Sequence, residues 1–164
     1  MNKNCLLCGV GGQGVVLASR LIAYAAMEKG NFVRTAETIG MAQRGGSVVS
    51  HVRIGEEIYS PQVPVGSADV ILAFEPGEAV RCLPYLKKDG LVIADCRIVK
   101  PVTASLGGSN YNAEEITAYL KKYAGRLILI DGEEICREAG SPKVLNVALL
   151  GAAAQSGALG ITLV

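Results

Sequence analysis

Short apolar runs and stretches of helical period take turns along the whole chain. Asn4–Cys8 is an apolar run that leads into Gly9-Val-Gly-Gly-Gln-Gly14, and Val15 to about Lys29 follows with helical spacing until Gly30 stops it. Asn31–Thr35 reads as a second strand. The opening segment therefore predicts a βαβ unit, its crossover right-handed on a parallel sheet. Ala36–Ser47 has neither period and holds Gly40, Gly45 and Gly46, which predicts a long loop. Val48–Ile54 then alternates, Gly55-Glu-Glu57 can turn the chain, and Ile58–Ser60 can return as the second arm of a hairpin. One antiparallel pair of this kind makes the sheet mixed.

Val70–Phe74 is an apolar run of the fully buried kind, and Glu75-Pro-Gly-Glu78 carries the proline and acids favoured in a helix's first turn. That helix is expected to end by Gly90, with Pro84 inside it as a kink or an early stop. Leu91–Asp95 is the next buried strand, and Arg97–Gly108 is irregular. Asn112 and Glu115 have capping-box spacing for a helix to about Tyr123. Arg126–Ile130 reads as the last central strand, Glu133–Ala139 as a short helix, and Ser141-Pro142 as the start of a helix to Gln155. Strand and helix alternate without repeat, low-complexity tract or linker. The expectation is one α/β domain over residues 1–164, a three-layer α/β/α stack on a mostly parallel, mixed, Rossmann-like sheet. The apolar ending Ile161-Thr-Leu-Val164 has no helix to cover it, so the natural protein is expected to run further.

A chain of 164 residues can bury roughly 70% of the surface its unfolded form exposes. Half of its residues are hydrophobic and 19% are charged, a composition that excludes a disordered chain. The formal net charge is +1, without the basic footprint of a nucleic-acid or anionic-membrane binder. Apolar runs such as Val147–Ala154 fall short of the ~20 residues needed to cross a bilayer. Cys5, Cys8, Cys82, Cys96 and Cys136 are an odd, scattered set, expected as reduced thiols serving as small buried hydrophobes. Such usage makes the cytoplasm the default compartment.

Gly9-x-Gly11-x-x-Gly14 stands between a strand and a helix, where glycine lets a ligand approach the backbone and the helix N-terminus offers N–H groups to an anion. A dinucleotide site also asks for an acid at the end of the second strand, about 20 residues on. The first acid, Glu37, falls past that place in the expected loop, so the fingerprint is incomplete. A tight strand-to-helix turn or a partner contact explains the glycines as well. Cys5 and Cys8 on one strand point to opposite faces and cannot share a metal ion without a bend, so core packing is the better reading. His51, the only histidine, has no second histidine beside it and reads as a hydrogen-bonded strand residue. The loop before it is longer than a connection needs, and such loops carry function. Within it Arg44 can present its guanidinium to a carboxylate or phosphate, while Gln43 and Ser47 add neutral hydrogen bonds. No residue emerges as catalytic or as a metal ligand.

Five blocks then fall in a specific order: Gly9-Val-Gly-Gly-Gln-Gly14, Glu37-Thr-Ile-Gly-Met-Ala-Gln-Arg-Gly-Gly-Ser47, Ser50-His-Val-Arg53 with Ser60-Pro61, Ala68-Asp69, and Glu75-Pro-Gly-Glu-Ala-Val-Arg81. In content and order they resemble the gamma domain of 2-oxoacid:ferredoxin oxidoreductases, from Asn4 to about Gln155, most closely the small subunits of the indolepyruvate enzymes. The segment that usually follows in the family is expected to be missing here. The resemblance implies oxidative decarboxylation of an aryl pyruvate such as indolepyruvate to an acyl-CoA, with ferredoxin as electron acceptor. It implies thiamine diphosphate (TPP), Mg and 4Fe-4S clusters on a large partner subunit, coenzyme A as co-substrate, and no metal or covalent cofactor on this chain. The sequence agrees in having no Gly-Asp-Gly run with a downstream Asn and no clustered Cys-x-x-Cys-x-x-Cys.

The same resemblance puts Gly9, Gly11, Gly12, Gln13, Gly14, Gln43, Arg44, Gly45 and Gly46 near the shared interface as cofactor contacts. Gly11–Gly14 would act by close backbone approach and Arg44 as an anion or partner contact. The isolated chain is expected to be inactive. Two other readings stand beside this one. The first is the gamma subunit of a pyruvate, 2-oxoglutarate or 2-oxoisovalerate enzyme, and the second, from another class, is a stand-alone NAD(P)- or FAD-binding protein. A non-enzymatic interaction domain is partly contained in the subunit reading, because apolar composition and low charge suit a buried interface.

Overall fold

The computed structural model describes residues 2–39, 45–99 and 111–161. Strands β1 (Lys3–Val10), β2 (Val33–Ile39), β3 (Ser47–Ile54), β4 (Ala68–Ala73), β5 (Leu86–Asp95) and β6 (Arg126–Ile130) form one sheet in the order β2-β3-β1-β4-β5-β6. The helices are α1 (Val15–Glu28), α2 (Pro76–Cys82), α3 (Ala113–Tyr123), α4 (Gly132–Glu138) and α5 (Leu145–Gln155). Strand alternation divides the interior into two cores. Cys5 and Leu7 of β1, Val70 and Leu72 of β4, and Leu91 and Ile93 of β5 pack with α1 and α5. Leu6 and Cys8, Ile71 and Ala73, and Val92 and Ala94 pack with α2 and α3. The expected three-layer α/β/α arrangement on a mixed sheet is the one observed, and Cys5 and Cys8 do face opposite ways.

Several local expectations change. Val48–Ile54 does not form a hairpin with Ile58–Ser60, because β3 pairs along its whole length with β1 on one side and β2 on the other, antiparallel to both. The opening βαβ unit therefore has β3 inserted between its two strands. Of the loop expected over Ala36–Ser47, Ala36–Ile39 belong instead to β2, an edge strand with Arg34, Glu37 and Thr38 exposed, and such edges need no apolar alternation; Ser47 opens β3, and residues 40–44 lie outside the described residues. The helix after Glu75 spans seven residues, is followed at Pro84 by a single 3₁₀ turn over Leu83–Tyr85, and gives way to β5 well before Gly90. Ser141-Pro142 opens a 3₁₀ turn over Pro142–Val144, and the α-helix begins only at Leu145. Among the cysteines expected to be buried, Cys96 is exposed and Cys136 half-buried.

β1, β4, β5 and β6 run parallel and end at one edge, where the antiparallel β3 begins. The glycine turn, Ser47, Glu75, Asp95 and Asp131 are thereby brought to the same edge, although they are scattered through the sequence. Among the described residues, no helix is long and apolar enough to cross a membrane.

Candidate functional site

The turn after β1 is closed by its own glutamine. The Val10 N–H donates to Gln13 Oε1 at 2.7 Å, and Gln13 Nε2 donates to the Phe74 carbonyl at 3.0 Å. The side chain staples the turn to the end of β4. Gly9 is packed tightly against this staple: a Cβ there would lie 2.7 Å from Gln13 Oε1 and 2.9 Å from Val15 Cγ2. Gly12 and Gly14 hold φ of 100° and 87°, which side-chain-bearing residues rarely adopt, and Gly14 caps α1. The Gly11 N–H donates to the Gly46 carbonyl at 2.8 Å, so the turn sits directly beside the residues that lead into β3. Gly46 is thus next to Gly11, with Gly45 before it in the chain, whereas Gln43 and Arg44 lie outside the described residues.

Two clefts flank the turn. One, of about 380 Å³, is lined by Gly11, Gly12, Val15 and Val48. The other, of about 460 Å³, is lined by Gly12, Gly14, Arg97, Lys143 and Asn146. It places two cations beside the first turn of α1, where backbone N–H groups lack intrahelical partners.

Sequence reasoning missed three buried acids at this edge. Asp95, the last residue of β5, accepts from Arg97 N at 3.2 Å and Gly132 N at 3.1 Å through Oδ1. Its Oδ2 has no hydrogen-bond partner among the described residues and lies 3.9 Å from Arg97 Nε. Burial pushes its pKa above the usual carboxylate range, partly offset by those hydrogen bonds. Glu75 Oε2 accepts from Glu78 N and from the Tyr111 hydroxyl, both at 2.9 Å, and Oε1 accepts from Val99 N at 3.4 Å. Burial raises its pKa as well, and burial together with the adjacent Glu75 raises that of Tyr111. Gly77 has no room for a side chain because Tyr111 Oη occupies the place of its Cβ. Glu78, 3% exposed, accepts from Ser47 Oγ at 2.5 Å. The available sequence signal was an acid at the end of a fully apolar run in Leu-Val-Ile-Ala-Asp95 and, after β4, in Glu75-Pro-Gly-Glu78.

His51 is buried within β3, and its Nδ1 accepts from the Val63 N–H at 3.1 Å, which leaves the proton on Nε2. Burial lowers its pKa. Among the described residues no group of three or more His, Cys, Asp or Glu could hold a metal ion. The acid a dinucleotide would need is also displaced. With β3 between β1 and β2, the end of β2 lies two strand spacings, about 9.5 Å, from β1. Glu37 there faces Arg20, Nε to Oε1 3.9 Å.

A model of the pyruvate ferredoxin/flavodoxin oxidoreductase family matches residues 4–163. The chain belongs to this family. It is therefore a domain of a multi-subunit oxidoreductase, and its relatives carry subunit names. It is 44% identical over 155 residues to the indolepyruvate oxidoreductase subunit IorB of Pyrococcus horikoshii, covering 93% of this chain and 77% of that one. It is 31% identical over 150 residues to the pyruvate/ketoisovalerate oxidoreductases common subunit gamma of Pyrococcus abyssi, covering 90% and 74%. The crystal structure of the pyruvate oxidoreductase subunit PORC of Thermotoga maritima has the same fold, with a TM-score of 0.68 at 22% identity over 96% of this chain and 78% of that one.

Proposed function

We propose that the chain is the small subunit of an indolepyruvate:ferredoxin oxidoreductase acting in the cytoplasm. The observation that carries this reading is the sustained identity to a subunit named for indolepyruvate, well above the identity to the subunit shared by the pyruvate and ketoisovalerate enzymes. A large partner subunit holds thiamine diphosphate, Mg and the 4Fe-4S clusters, and ferredoxin takes the electrons. Thiamine diphosphate supplies the decarboxylation chemistry when bound there. The described residues of this chain do not fit a cluster, since Cys5 and Cys8 are buried on opposite faces of the sheet.

They do fit the phosphates of coenzyme A. Gly12 and Gly14 expose backbone at the start of α1, Arg97 and Lys143 bring positive charge to the adjoining cleft, and the Gly11 N–H is given to the Gly46 carbonyl. Gly9 and Gln13 give the turn its shape, and Gly46 lies against it with Gly45 just before it in the chain. Gln43 and Arg44, just before them in the sequence, are proposed as polar and anion contacts. The chain's part is to bind and orient the acyl acceptor, with no covalent step of its own.

Purification through this chain after co-expression with a large thiamine diphosphate subunit, followed by a dye-reduction assay, tests the reading. Reduction that requires indolepyruvate, coenzyme A and both chains is expected. A complex active only with pyruvate or branched-chain 2-oxoacids would move the chain to the branch of the gamma subunits. Failure to find any partner, together with tight binding of NAD(P)H or FAD by the chain alone, would overturn the subunit reading.

A further inference from the structure

Glu75-Pro-Gly-Glu78 lines neither of the two clefts, yet it belongs to a run of hydrogen bonds that encircles the glycine turn. From Gly11 the run passes to the Gly46 carbonyl at 2.8 Å, and from the next residue, Ser47, to Glu78 Oε2 at 2.5 Å. Glu78 N donates to Glu75 Oε2 at 2.9 Å. Glu75 follows Phe74, whose carbonyl accepts from Gln13 Nε2, and Gln13 Oε1 returns to Val10 N, next to Gly11.

Helix capping explains Glu75, whose side chain accepts the N–H of Glu78 at the start of α2. The helix dipole also favours an acid in the first turn, but it does not explain why Glu78 is buried. A second buried carboxylate within one turn of the first is costly unless its oxygens are satisfied. Its cationic neighbour, Arg81, is solvent-exposed and 3.8 Å away, so that pair contributes little. The short bond from Ser47 is the side-chain contact that satisfies the buried carboxylate.

We propose that Glu78 is a positioning residue: through Ser47 it fixes Gly46 against Gly11, so that the glycine turn and the Gly45-Gly46 segment present one surface to coenzyme A. Glu78 itself touches no ligand. The assignment of the ligand rests on the function proposed above, whereas the fixing of Gly46 does not.

The test compares E78A, E78Q, S47A and the S47A/E78A double variant, each as the full chain and in complex with the large subunit. E78A and S47A are each expected to speed amide exchange at Gly11. In the complex each should raise KM for coenzyme A about tenfold, the loss of one hydrogen bond to a charged acceptor, with kcat within about twofold. E78Q keeps an acceptor oxygen and is expected to restore most of the affinity. The double variant should be no worse than either single one, because both remove the same bond. If E78A does not fold, S47A and E78Q carry the comparison. Unchanged Gly11 exchange, additive losses, or a fall in kcat with KM untouched would overturn the proposal. A wild-type complex without coenzyme A-dependent turnover would strike the functional reading instead, and Gly11 exchange would still decide whether Glu78 positions Gly46.

Discussion

Gln13 is the residue on which the shape of the glycine turn depends, and its two hydrogen bonds can be separated by substitution. Gln13→Ala removes the acceptor of Val10 N and the donor to Phe74 O together. A fully buried group left unsatisfied costs about 1–3 kcal/mol. The open side of the turn at Gly12 admits water, so the two losses together should amount to about 2 kcal/mol. Gln13→Glu instead keeps the acceptor and turns the donor into a second acceptor aimed at a carbonyl. At neutral pH this should cost about 2–3 kcal/mol, because a repulsion is added to the lost bond.

The glutamate variant also carries a sign that a packing defect would not. The carboxyl introduced by Gln13→Glu faces the Phe74 carbonyl, so its folded-state pKa lies above its unfolded one. The penalty is fully present above the folded-state pKa and disappears as pH falls below the unfolded value, where the protonated acid can donate to Phe74 O again. Urea unfolding of the full chain from about pH 4 to about pH 8, a range that spans a carboxyl shifted upward, measures both effects. A Gln13→Ala loss below about 0.5 kcal/mol, or a Gln13→Glu deficit that does not shrink in acid, would refute the staple.

Three further outcomes are expected. Ser50 Oγ is buried without a hydrogen-bond partner among the described residues, so Ser50→Ala should stabilise the chain by about 1 kcal/mol in urea unfolding, and a destabilised variant would show that the hydroxyl has a partner in solution. His51 is held neutral, with a folded-state pKa below its ordinary 6.5, so stability should fall as pH drops through that value, where the unfolded chain takes up the proton first. His51→Gln should flatten that slope and leave the rest of the pH profile in place. Asp95 has the opposite sign: its raised pKa favours folding below the unfolded value, and this contribution is lost as pH rises through the folded-state pKa. Asp95→Asn should remove that dependence, which a pH series of unfolding midpoints would detect.

The elements whose signals are local were legible in the sequence. Arg126–Ile130 is β6 to the residue, and Asn112 caps α3 through its side chain on Glu114 N. The opposed cysteines follow from strand period alone. What was not legible depends on partners distant in sequence. The carbonyl that Gln13 reaches is 61 residues away, the hydroxyl on Glu75 is 36 away, and the amide of Gly132 on Asp95 is 37 away. The start of β5 is hidden because Lys87-Lys88-Asp89 is polar, and β2 reads short because an edge strand with exposed side chains carries little apolar signal.

The place of β3 in the sheet has the largest consequence for function. A glycine-rich turn between a strand and a helix suggests a dinucleotide only if the next strand lies alongside the first and ends in an acid. Here the antiparallel β3 fills that place, and it delivers Gly46 and Ser47 to the turn instead of a ribose-binding carboxylate. The acid that approaches the turn comes from the other side, after β4, and bonds to Ser47 rather than facing an open cleft. The same glycines therefore stand beside Gly46 rather than beside a ribose-binding acid, and that difference in topology separates this turn from a dinucleotide fold with a similar fingerprint.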